Sequence, residues 1–120
     1  MTVVDELIVE HLTATDCNAA IVVLHGPISV HTYEKLEAEL DKVLRQNCFK
    51  IVLDLADVRY VSSAGAGVMM NVLSQVRDAG GDLVLINLTN SVREIFELLN
   101  LNNVLPIADD LPSALKRFGA

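Results

Sequence analysis

Two adjacent serines, Ser62 and Ser63, run into Ala64-Gly65-Ala66-Gly67, and their types and spacing suit chemistry better than those of any other stretch. Val68, Met69, Val72, Leu73 and Val76 follow at helical spacing, so the serines stand at the start of a helix expected over Ser63 to Ala79. A hydroxyl in that place caps a free backbone amide, and one serine is enough for it. The other is open to modification, because a phosphate on Ser63 would face unpaired N–H groups and the positive end of the helix, which favour a dianion. The glycines break a local rule, since glycine inside a helix costs about 1 kcal/mol relative to alanine. Either another backbone packs closely there, or a ligand or partner protein approaches a surface that side chains would block.

Other chemistries fit these residues poorly. Gly65-Ala66-Gly67-Val68-Met69-Met70 lacks the third glycine of a dinucleotide fingerprint, and Asn87 stands near where an acidic ribose ligand is sought. A serine hydrolase is disfavoured because no Gly-x-Ser-x-Gly elbow exists and His11, His25 and His31 precede the serines without a recognisable acid partner. Each histidine reads as a surface or strand-edge residue. His25 and His31 have no Cys or acidic cluster to complete a metal-binding spacing. Cys17 and Cys48 sit alone and read as reduced thiols.

The elements that must position the serines follow from periodicity. Glu6 to Thr13 partly alternates and Ala19 to Leu24 is a short apolar run, so two strands are expected, joined through the polar Thr13 to Asn18 as an antiparallel hairpin. Gly26-Pro27 ends the second. Tyr33, Leu36, Leu40, Val43 and Leu44 mark an amphipathic helix between Thr32 and Gln46, whose charged side reads as a solvated face. Ile51-Val52-Leu53 lacks alternation, as a central strand covered on both faces does, and Leu83 to Ile86 repeats the pattern. Gly80-Gly81 caps the helix between them. Ser91 with Glu94 spells a capping box for a third helix, Val104 to Ile107 reads as a brief strand, and Asp109 or Asp110 starts a last helix with Pro112 in its first turn. Strands alternating with helices after a hairpin imply one α/β domain, a mixed sheet of four to five strands with about four α-helices.

Composition sets the outer bounds. With 120 residues, 52% hydrophobic and 21% charged, one globular core is expected. The formal net charge of -7 repels phosphate backbones and anionic lipids, which argues against nucleic-acid partners. Met1 to Glu6 shows no secretory signal and Ala19 to Leu24 is too short to cross a bilayer, so a cytoplasmic protein without membrane insertion is expected.

Gly26-Pro27-Ile28, Ile51-Val52-Leu53-Asp54-Leu55, Ser62-Ser63-Ala64-Gly65-Ala66-Gly67-Val68, Gly81-Asp82-Leu83-Val84-Leu85 and Val92 through Leu101 occur in an order and spacing that resembles the bacterial anti-anti-sigma factors and their STAS domain. In that family the loop usually reads Asp, the phosphorylated Ser, Ser or Thr, then Gly. Anchoring on Gly65 places the phosphoacceptor at Ser63, with Ser62 in place of the Asp and Ala64 in place of the second hydroxyl residue. The resemblance implies a single STAS domain over residues 1–120, not an enzyme, with no cofactor of its own. It further implies that Ser62, Ala64, Gly65 and Gly67 flank the phosphorylation site as partner-binding positions. The implied partner is an anti-sigma factor that is also an ATP-dependent serine kinase, held by the unmodified form and released on phosphorylation, with a serine phosphatase to reset the switch. The second reading is a STAS scaffold subunit of a transporter or signalling assembly, with Ser63 acting mainly as a helix cap.

Overall fold

Apolar runs that do not alternate need cover on both faces, and the central strands find it between two layers of helix. The computed structural model describes residues 6–14 and 18–119, in which five strands form one mixed sheet ordered β1-β2-β3-β4-β5. β1 (Ile8–Ala14) pairs antiparallel with β2 (Ala19–His25), while β3 (Lys50–Asp57), β4 (Asp82–Ile86) and β5 (Ile107–Ala108) follow in parallel. The crossovers are helical, with α1 (Tyr33–Arg45) before β3, α2 (Ser63–Asp78) before β4, and α3 (Asn90–Leu98) with a 3-10 turn at Leu101–Asn103 before β5. After β5 comes α4 (Leu111–Lys116). This is the single α/β domain with a mixed sheet and four α-helices that the sequence led us to expect.

The pleat sends alternate side chains to opposite layers. Val22, Leu24, Ile51, Leu53, Leu55, Leu83 and Leu85 join the buried faces of α1, α2 and α3 in the main core. Ile21, Val52, Val84 and Ile86 point the other way, onto Ala114, Leu111, Leu115 and Phe118 at the C-terminal end. Ile51, Val52 and Leu53 are consequently all fully buried, each burial being worth about 1.5–3 kcal/mol. β3 is therefore firmly held, and it is the strand that leads into Ser62 and Ser63.

Helix ends show where local signals held and where they did not. Gly80, at φ +84°, and Gly81 close α2 in a Schellman arrangement, their amides donating to Arg77 O at 3.0 Å and Val76 O at 2.7 Å. The expected Ser91–Glu94 capping box is not used. Thr89 caps α3 instead, because its Oγ1 accepts from Val92 N at 3.3 Å while donating to Val58 O at 2.8 Å, which fastens the helix start to the end of β3. The strand expected over Val104 to Ile107 lies later and is shorter, since Val104 N and Leu105 N both turn back to Leu101 O and only Ile107–Ala108 pairs with β4. Asp110 caps α4 by accepting from Ser113 N at 2.9 Å, with Pro112 in the first turn as expected. No helix among the described residues is long and apolar enough to cross a membrane. Readings that concern Met1 to Asp5, Cys17 or the middle of the first hairpin lie outside the described residues; Cys48 is a half-buried free thiol.

Candidate functional site

Where β2 and β3 end, their outgoing loops stay joined. Gly26 N donates to Asp57 O at 3.0 Å, Ile28 N to Tyr60 O at 2.9 Å, and Ser62 N to Ile28 O at 2.7 Å, so a parallel bridge between Ile28 and Val61 prolongs the sheet into the loops. Gly26 makes the turn at φ +109°, where an added Cβ would lie 2.1 Å from Glu6 O. Thr32 folds the rest of its loop, its hydroxyl donating to Pro27 O at 2.6 Å and accepting from Ser29 N at 2.8 Å. The site thus lies beyond the carboxyl ends of parallel strands, where open α/β sheets bind their ligands.

The two serines divide the tasks. Ser62 is buried in extended conformation, and its Oγ accepts from Gly65 N at 3.1 Å while its carbonyl accepts from Ala66 N at 2.9 Å. Ser63, the first helical residue, is exposed, and Ala64 beside it is half-buried. No acidic side chain stands in the first turn of α2 to oppose an added anion.

The two glycines also differ. Gly65 is buried, and a Cβ on it would come 2.4 Å from Ile28 Cγ2 and 3.4 Å from Val61 Cγ1. A side chain across the bridged loops fills its space, neither a second backbone nor an open approach. Gly67 has nothing within 4 Å of the same position. Gly67→Ala is therefore expected to stabilise the free protein by about 0.5–1 kcal/mol through helix propensity, read as a higher urea midpoint; a lower midpoint would show the space is not open. The segments that build the site also carry exposed apolar side chains, Val30 before α1, Tyr60 before α2 and Met70 on α2, at 64%, 49% and 37% exposure.

The structure thus brings Ser62, Ser63, Ala64, Gly65 and Gly67 onto one helix start, with Ser63, Ala64 and Gly67 reaching the surface and Ser62 and Gly65 beneath it. Sequence reading missed Ile28 as the residue that fits against Gly65, and it missed acid partners for two histidines. His11 Nε2 lies 2.6 Å from Glu39 Oε2, and hydrogen bonds from His11, then Lys42, hold the Glu39 carboxyl below its ordinary range. His25 contacts both Glu10 and Asp57. None of these histidine–carboxylate pairs is close in sequence, so no local signal marks them.

The STAS domain family model matches residues 11–114. With the fold and the loop described above, the chain belongs to the STAS domain family. It is 37% identical over 98 residues to the Bordetella bronchiseptica protein BtrV, covering 82% of this chain and 84% of that one. Similarity extends to the anti-sigma F factor antagonist of Paenibacillus polymyxa, at 27% identity over 96 residues, 79% of this chain and 82% of the other. The fold also matches the solved structure of the Bacillus cell fate determinant SpoIIAA in its phosphorylated form, with a TM-score of 0.67 and 18% identity over 92% of this chain and 98% of that one.

Proposed function

We propose that this chain is an anti-sigma factor antagonist of the cytoplasm whose binding state is set by phosphorylation of Ser63. The unmodified form binds an anti-sigma factor that is also a serine kinase, the phosphorylated form releases it, and a serine phosphatase restores the first state. The observation that carries this reading is the exposed Ser63 hydroxyl at the start of α2, free of the capping bond that Ser62 makes. Val30, Tyr60 and Met70, on the segments that build the site, offer apolar area for a partner, and Gly67 lets that partner come close to the helix. The relatives named as anti-sigma factor antagonists support the choice of partner.

Phosphorylation adds about -1.5 to -2 charge units, which the positive end of α2 accommodates without melting the helix. In the complex the same group must lose water against a surface shaped for a hydroxyl, and the partner is repelled sterically and electrostatically. Calorimetry of the two forms with the cognate kinase is expected to show affinity falling at least about a hundredfold, or about 2.8 kcal/mol, on phosphorylation. Amide shifts outside residues 56–67 should stay nearly constant. Equal affinities would refute the switch, and shifts throughout the domain would refute a local mechanism.

A further inference from the structure

Glu10, His25 and Asp57 lie on three neighbouring strands at the edge from which the Ser62–Ser63 loop departs. His25 pairs with Asp57 across β2 and β3, just after a register irregularity, and Glu10 sits diagonally from it on β1. His25 Nδ1 is 2.8 Å from Asp57 Oδ2, and Nε2 is 2.8 Å from Glu10 Oε1. A neutral imidazole has one N–H and can donate to only one of these carboxylates; the other contact would set a lone pair against a negative oxygen. With both carboxylates ionised, the two contacts together favour the imidazolium.

We propose that Glu10, His25 and Asp57 form a proton-operated clamp, in which the His25 imidazolium ties β1 to β3 and holds the near end of the loop that carries Ser62 and Ser63, and loss of its proton releases that end. Asp57 belongs to both structures, its carboxylate meeting His25 and its carbonyl accepting from Gly26 N at 3.0 Å. Beyond Asp57 the loop is fixed separately, by Thr89 at Val58 O and by Ile28 at Tyr60 O, so release would act on the junction of Gly26 with Asp57 and leave the cap at Ser62 in place. Other charged side chains on segments around the cluster include Glu6, ahead of β1, Asp54 on β3, whose partner Val23 lies two residues before His25, and Arg59, just beyond Asp57. The Asp57 hydrogen bond, with Glu10 adding to it against some desolvation, raises the His25 pKa above its ordinary 6.5. With the folded value raised, the clamp contributes fully below the unfolded value and is lost as pH rises through the folded one.

Any effect on Ser63 rests on the function proposed above; the clamp does not, and the test reads the clamp alone. Imidazole nitrogen and carbon shifts of the full chain, followed from about pH 5 to about pH 9, give the His25 midpoint and its protonated positions. We expect both ring nitrogens protonated on the acid side, a midpoint above 6.5, and exchange protection of the Gly26 and Val58 amides, corrected for intrinsic rates, that falls severalfold across that midpoint. Glu10→Gln and Asp57→Asn should each lower the midpoint, and the first alters no residue of the loop. A midpoint at or below 6.5, or loop protection indifferent to the protonation of His25, would overturn the proposal.

Discussion

Ser63→Ala is expected to abolish phosphorylation by the cognate serine kinase and leave the fold intact, whereas Ser62→Ala should keep the acceptor and lose stability. Ser63 is exposed and its hydroxyl stands apart from the cap, so alanine there removes only the nucleophile. Ser62 is buried, and deleting its Oγ strands the Gly65 amide that it accepts from. Loss of such a cap costs about 0.5–2 kcal/mol. Incubating wild type and both variants with kinase and ATP, mapping phosphopeptides and measuring urea midpoints separates the two roles. Full labelling of Ser63→Ala would place the acceptor elsewhere, and an unchanged midpoint for Ser62→Ala would deny its part in holding the helix start.

Gly65→Ala is expected to destabilise the domain by about 1–3 kcal/mol, the usual range for overpacking a core, although alanine is the better helix former by about 1 kcal/mol. The sign turns on Ile28. Its Cγ2 lies 2.4 Å from where the new methyl would sit, and this is a branch at Cβ with little rotational freedom. Nor can its backbone retreat, because Ile28 N and O are both bonded to the facing loop, at 2.9 Å and 2.7 Å. In an Ile28→Ala background the clashing methyl is gone, so the added cost of Gly65→Ala should shrink, giving a favourable coupling in a double-mutant cycle. A Gly65→Ala protein more stable than wild type would show that Ile28 yields easily.

The sequence made the exposed serine and its helix legible because both rest on local rules. Helical spacing from Val68 to Val76 and the pair Gly80-Gly81 bound α2, and two serines before it exceed the needs of one cap. The unbroken apolar run in β3 revealed its central place for a similar reason, since a strand covered on both faces has no polar side to alternate with. What stayed hidden depends on residues far apart in the chain. Ser91 and Glu94 have capping-box spacing, yet the helix begins at Thr89, whose hydroxyl also reaches Val58 O across 31 positions. The purpose of Gly65 was open between packing and approach until Ile28 was placed against it, and three carboxylates gave His11 and His25 partners that spacing could not suggest.

The bridge between Ile28 and Val61 bears on what a modifying enzyme would recognise. Ser63 is mounted on a helix start whose approach is stitched to another loop by three backbone bonds, Gly26 N to Asp57 O, Ile28 N to Tyr60 O and Ser62 N to Ile28 O. A short peptide cut from this region lacks Gly26 and Ile28 and so cannot reproduce that surface. Labelling at Ser63 would then act as a census of folded molecules, with nascent or damaged chains invisible to the kinase and absent from the pool that it inactivates.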